Sequence, residues 1–201
     1  MSFQFSNDQL TAMDKICRQL LDTTPIGVHS LAVLTGAAGT GKTTVVGEII
    51  NRIKLHSPTL EIALCATTHR AAAVLSDIVN EPVFTGHALF KLRPGVTKYG
   101  KETLKKVGFC EIPFESVVII DEASMIGNKF LEAIVDIVRH RNLKVLFVGD
   151  PFQLPPPADT CSIFDGSLPT FQLTTVHRQL GDNPILDKAT EFRQFIEGTL
   201  P

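Results

Sequence analysis

A short apolar run, Leu31-Ala-Val-Leu-Thr35, passes directly into Gly36-Ala-Ala-Gly-Thr-Gly-Lys-Thr-Thr44. An apolar run without polar alternation suits a strand buried on both faces. Glycines spaced this way let successive backbone N–H groups turn inward onto an anion, and a helix starting at once adds its positive N-terminal end. Strand, anion-sized loop and helix in this order restrict the chain to an α/β fold with a parallel sheet.

The pattern GxxxxGK[ST] is met by Gly36, Gly41, Lys42 and Thr43. In such a loop the residues Gly36, Ala37, Ala38, Gly39, Thr40, Gly41, Lys42, Thr43 and Thr44 wrap the phosphates of a nucleotide. Lys42 reaches the β- and γ-phosphates and Thr43 ligates Mg²⁺. Further apolar runs predict strands at 60–66, 117–121, 143–149 and 171–174. Helical patterns lie between and after them at about 42–56, 69–80, 127–140 and 183–198. An opening helix starts at Ser6-Asn-Asp-Gln9, a capping-box pattern. The stretch 93–114, rich in Gly and Lys and holding the only Tyr, breaks this rhythm and reads as a protruding hairpin or small insertion.

Three more stretches carry chemistry. Val117-Val-Ile-Ile-Asp-Glu122 ends a strand in two carboxylates, which suits Asp121 to a Mg²⁺ shell and Glu122 to activating water as a general base. A glutamate base argues for hydrolysis and against a kinase. Gly149-Asp-Pro-Phe-Gln-Leu-Pro-Pro156 holds Gln153 in a stiff loop, where a neutral amide can sense a γ-phosphate or orient water. Thr174-Thr-Val-His-Arg178 presents Arg178, whose guanidinium suits the charge that develops in phosphoryl transfer.

In this order the pieces resemble the N-terminal RecA-like motor domain of a superfamily 1B DNA helicase, of the RecD-like and Dda-like group. The resemblance runs over nearly the whole chain. FSNDQLTAM is similar to the Q motif, and implies that Gln9 reads adenine alongside its capping role. ATTHRAAAVL and FTGHALFKL are similar to motifs Ia and Ib, and imply single-stranded DNA contacts at Thr67, Thr68, His69, Arg70, Thr85 and His87. Hydroxyls and Arg suit phosphates, and an imidazole can stack on a base. IIDEASM, GDPFQLPPP and LTTVHRQ are similar to motifs II, III and IV.

The resemblance implies a RecA-like P-loop NTPase in two parts, 1–92 and 115–201. The 93–114 insertion falls where the group places its strand-splitting pin, with Tyr99 as a wedge. It implies ATP and Mg²⁺ as cofactors, and single-stranded DNA and its junctions with duplex as partners, alongside replication or recombination proteins. A second RecA-like domain would follow residue 201, so the chain is expected to be a piece of a longer protein. That protein would translocate 5′ to 3′, while the piece alone would hydrolyse ATP weakly without unwinding. Alternatives are a stand-alone PhoH-like P-loop ATPase and a non-catalytic ATP-binding module.

The formal net charge of −2 over 201 residues neither favours nor excludes nucleic acid, because a binding groove needs only local charge. No apolar stretch approaches the roughly 20 residues of a membrane helix, and MSFQFSNDQL lacks a secretory pattern. Cys17, Cys65, Cys110 and Cys161 form no CxxC pair, so free thiols in a reducing cytosol are expected.

Overall fold

A computed structural model describes residues 4–23, 30–96, 98, 102–156 and 159–176. Its centre is a six-stranded sheet of β1 (Leu31–Gly36), β2 (Ile62–Ala66), β3 (Val83–Thr85), β6 (Val117–Asp121), β7 (Lys144–Gly149) and β8 (Thr170–Leu173). The strands lie in the order β3-β2-β6-β7-β1-β8, and every pairing is parallel. The expected parallel α/β fold is therefore present.

Parallel strands need crossovers on both faces, and the side chains divide accordingly. Ala32, Leu34, Val117, Ile119, Leu146 and Val148 face α1 (Asn7–Leu21), α2 (Lys42–His56) and α3 (His69–Val79). Their alternates Val33, Val118, Ile120, Val145 and Phe147 face α5 (Asn128–Arg141). β7 is buried at every position, which fixes the sheet's middle and leaves the strand ends for chemistry.

The 93–114 stretch contains the expected hairpin. β4 (Leu92–Val96) and β5 (Glu102–Lys106) pair antiparallel, apart from the main sheet. Residues 99–101, including Tyr99, lie outside the described residues, as do Arg178 and the helix expected at 183–198. Two short elements were not expected: β3 at the sheet edge, and the four-residue helix α4 (Gly86–Leu89) after it. Among the described residues no helix is long and apolar enough to cross a membrane. All four cysteines are free, and burial pushes the Cys17 thiol up to about 11.

Candidate active site

β7 lies between β1 and β6, so the loops leaving these three strands open side by side at one edge of the sheet. This is where α/β sheets hold ligands. The loop after β1 turns on Gly39 (φ 87°) and Gly41 (φ 78°), a left-handed backbone that glycine adopts at no steric cost. The buried Thr40 closes the turn, its hydroxyl donating to the Ala37 carbonyl at 2.9 Å. Lys42 opens α2 and donates from Nζ to the carbonyls of Gly36 (2.8 Å) and Ala37 (3.2 Å). Its ammonium thus lies against the inside of the loop.

Gln9 holds this loop from behind. It is fully buried, and both ends of its amide are engaged: Oε1 accepts the Ser6 N–H at 3.0 Å and Nε2 donates to the Thr40 carbonyl at 2.9 Å. The capping box read from the sequence is formed, and the same side chain also joins α1 to the phosphate-type loop. With one bond at each end of its amide, the side chain acts as a strut for the loop.

The neighbouring Asp8 makes a second tie. Its carboxylate accepts the backbone N–H groups of Thr174 (2.8 Å) and Thr175 (2.9 Å), both threonine hydroxyls, and the Ser6 hydroxyl. Burial alone would raise the Asp8 carboxyl; the bonds from Ser6, Thr175 and Thr174 outweigh it and hold the group well below the ordinary carboxylate range. A depressed folded value means that Asp8 stabilises the fold above the ordinary range, and that this stabilisation is lost progressively as the pH falls from that range down through the folded value. Melting temperatures of wild type and Asp8→Asn between pH 7 and about pH 3 are therefore expected to differ most at neutral pH, and the gap to narrow, without closing, toward the acid end.

After β6, Asp121 is half-buried and its Oδ1 accepts the Glu122 N–H at 2.9 Å. Glu122 is left-handed (φ 54°, ψ 42°) and leads into a 3-10 turn, Ala123–Met125. Burial raises the Asp121 carboxyl, against the Glu122 N–H and Lys42. Burial likewise raises Glu122, helped by Asp121 and Asp150 and opposed by Lys42. After β7, Asp150 accepts the Phe152 N–H at 3.1 Å and the Gln153 N–H closes on the Asp150 carbonyl at 3.1 Å. The Ser124 hydroxyl donates to Gln153 Oε1 at 3.3 Å, which links the loop after β7 to the turn after Glu122.

These ends share a cavity of about 340 Å³ that Thr43, Asp121, Glu122 and Gln153 line together with Thr68 and Arg70. A larger, mainly apolar cavity of about 700 Å³ lies at the opposite ends of β2 and β3, among Leu60, Ile62, Pro82 and Phe84. Size therefore does not mark the site; converging polar groups do.

The residues expected to meet DNA divide into two kinds. His69 and Arg70 are exposed at the start of α3. The three threonines have internal partners: Thr68 caps α3 through the Ala71 N–H (3.1 Å), Thr85 caps α4 through the Ala88 N–H (3.3 Å), and Thr67 donates to the Glu122 carbonyl (3.2 Å). His87 is half-buried and stacked on Phe130, with centroids 4.6 Å apart and planes 8° from parallel, and burial lowers its pKa. Phe130, which carries this stack, had no signal in the sequence beyond a place on a helix.

The sequence profile of the AAA_30 family, an AAA domain, matches residues 5–194. The chain belongs to the AAA_30 family. This AAA_30 domain is 33% identical to the ATP-dependent RecD2 DNA helicase of Deinococcus radiodurans over 163 residues, 80% of the chain and 21% of that protein. It is 28% identical to the ATP-dependent DNA helicase dda of Enterobacteria phage T4 over 170 residues, 80% of the chain and 37% of that protein. Among solved structures it is similar to the Pif1 helicase of Candida albicans, with a TM-score of 0.66, 22% identity, and coverage of 96% of the chain and 44% of that protein. The resemblance to RecD-like and Dda-like motor domains is borne out, and the Pif1 match supports the same fold. The AAA_30 domain spans less than half the length of each of these relatives.

Proposed function

We infer that this AAA_30 domain binds ATP with Mg²⁺ and hydrolyses it as the N-terminal motor domain of a DNA helicase. The observation that carries this reading is the convergence of Thr43, at the end of the glycine-rich loop, with Asp121, Glu122 and Gln153 on the cavity that also takes in Thr68 and Arg70. Lys42 holds the β- and γ-phosphates and Glu122 takes a proton from the attacking water. Gln153 reads the γ-phosphate and Arg178 supplies a guanidinium to it. Burial of Glu122 raises its proton affinity toward what a base at neutral pH requires.

Thr43 and Asp121 are the residues that would hold Mg²⁺, and they fit it. Asp121 spends one oxygen on the Glu122 N–H, and its buried charge is relieved by a cation. Among the described residues no cluster of three or more His, Cys, Asp or Glu side chains could hold a metal alone. One carboxylate and one hydroxyl, completed by phosphates and water, is how Mg²⁺ binds in nucleotide sites. The ion supplies charge neutralisation on the phosphates.

The edge formed by Thr68–Arg70, with Thr85 and His87, is proposed to face single-stranded DNA. The β4–β5 hairpin is proposed as the pin at a junction with duplex, with Tyr99, which lies between the two strands in sequence, as its wedge. Phe152 (45% exposed) and Leu154 (85% exposed) flank Gln153. Apolar side chains at this place suit a second RecA-like domain closing over the nucleotide, so translocation and unwinding are proposed for the longer protein. Replication or recombination proteins would be its associates.

Steady-state hydrolysis by the longer protein, with and without oligo-dT, tests the reading. Oligo-dT is expected to raise the rate at least about tenfold at low salt, and the gain is expected to shrink steeply as salt rises, because phosphate contacts release counterions. Hydrolysis indifferent to DNA would favour a stand-alone ATPase of the PhoH type.

A further inference from the structure

β2 and β6 are neighbours, with Ala66 paired to Asp121. The residue after each strand, Thr67 and Glu122, therefore leaves the sheet at the same level. There the Thr67 hydroxyl donates to the Glu122 carbonyl at 3.2 Å, across 55 residues of sequence. Glu122 needs such holding, since its left-handed backbone is disfavoured for a residue with a Cβ. Three bonds pin it. Its N–H goes to Asp121 Oδ1, and its carbonyl takes the Met125 N–H (3.2 Å) from its own turn and the Thr67 hydroxyl from another strand. Without the last, the peptide after Glu122 is tied only within its own segment.

On its other side Thr67 adjoins Thr68, which caps α3, and Arg70, which is exposed and lines the same cavity as Glu122. A hydroxyl has one proton. While Thr67 gives it to the Glu122 carbonyl it cannot donate to a DNA phosphate.

We propose that Thr67 is a positioning residue for Glu122 and not a DNA contact: its hydroxyl holds the Glu122 backbone in place, and links the Thr68–Arg70 edge to hydrolysis. The proposal rests on Glu122 being the base, so the experiment separates the two ideas. Single-turnover ATP hydrolysis without DNA, nucleotide Kd and oligo-dT Kd are measured for wild type, Thr67→Val, Thr67→Ser, Glu122→Gln and the Thr67→Val/Glu122→Gln double variant. Melting curves monitor folding.

Thr67→Val is expected to slow hydrolysis about tenfold, with both Kd values within about twofold of wild type and Thr67→Ser restoring the rate. In the Glu122→Gln background Thr67→Val is expected to cost no more than about twofold, because residues that act as a unit are not additive. Three results overturn the proposal: oligo-dT affinity falls while DNA-free hydrolysis is unchanged, the two losses multiply in the double variant, or serine fails to restore the rate. If Glu122→Gln alone hydrolyses ATP at the wild-type rate, the assignment of the base fails, and the proposal with it.

Discussion

Glu122→Gln is expected to slow ATP hydrolysis by about 10²- to 10⁴-fold while nucleotide affinity stays within about twofold. The amide keeps the volume of the carboxylate and leaves the left-handed backbone, the Asp121 bond to the 122 N–H and the Thr67 bond to the 122 carbonyl in place. What it removes is the proton acceptor. Stability is expected to move the other way. Burial, Asp121 and Asp150 raise the Glu122 carboxyl above its ordinary value, against Lys42. An acid whose folded value is raised destabilises the fold as the pH climbs through that window. At neutral pH the Gln variant should therefore melt at or above the wild-type temperature. The pH–rate curve adds a third check. Wild-type hydrolysis should fall as the pH drops through the raised Glu122 value, and the residual activity of the variant should lack that limb. Rapid-quench hydrolysis, titration with a fluorescent nucleotide and calorimetric melting measure all three. Activity retained with affinity intact would remove Glu122 from the chemistry and leave an ATP-binding module.

How much of this was legible in the sequence depends on the range over which each feature is determined. β1, β6 and β7 are continuous apolar runs because both faces of each are buried, and such runs are visible in isolation. The glycines of the phosphate-type loop are equally plain, since the left-handed backbone at 39 and 41 demands them. β3 was not visible. Its three residues Val83-Phe-Thr85 include an exposed Phe84, the pattern of a short edge strand, and they carry too little periodicity to separate from a loop. α4, four residues long, is likewise too short for a helical period to register. The ties that shape the site are harder still. Ser6 and Gln9 announce a capping box from three residues apart, but the Gln9 bond to Thr40 spans 31 residues and the Asp8 bonds to Thr174 and Thr175 span 166 and 167. Polar residues of the first turn of α1 look like solvated capping until the sheet order brings β8 beside β1. Thr67 misleads for the same reason: a hydroxyl at a strand end suits a phosphate, and only the pairing of β2 with β6 shows where its proton goes.

The tie through Gln9 makes Gly41 poorly able to accept a side chain, and Gly41→Val is expected to weaken nucleotide binding at least about 100-fold. Two effects combine. At φ 78° a β-branched residue is a true outlier, whereas glycine takes that backbone freely. A Cβ at this position would also lie 2.8 Å from Gln9 Nε2. A free amide end would swing aside, but this one is bonded to the Thr40 carbonyl and its other end to the Ser6 N–H. Moving it breaks the loop's support and the helix cap together. Gly41→Ala separates the two effects. Alanine keeps the Cβ contact with less backbone penalty, about 1–2 kcal/mol for a left-handed residue, and a Gln9→Ala change made with it removes the steric part. If the contact matters, Gly41→Ala/Gln9→Ala should melt no lower than the sum of the single changes predicts, and should sit above it by about 1 kcal/mol. Strict additivity would mean that Gln9 yields without cost and that the glycine serves the backbone alone. Nucleotide titration of the same four proteins tells the loop's shape from its stability: a double variant that regains its fold but not its affinity assigns the N–H cradle to the left-handed turn at Gly41.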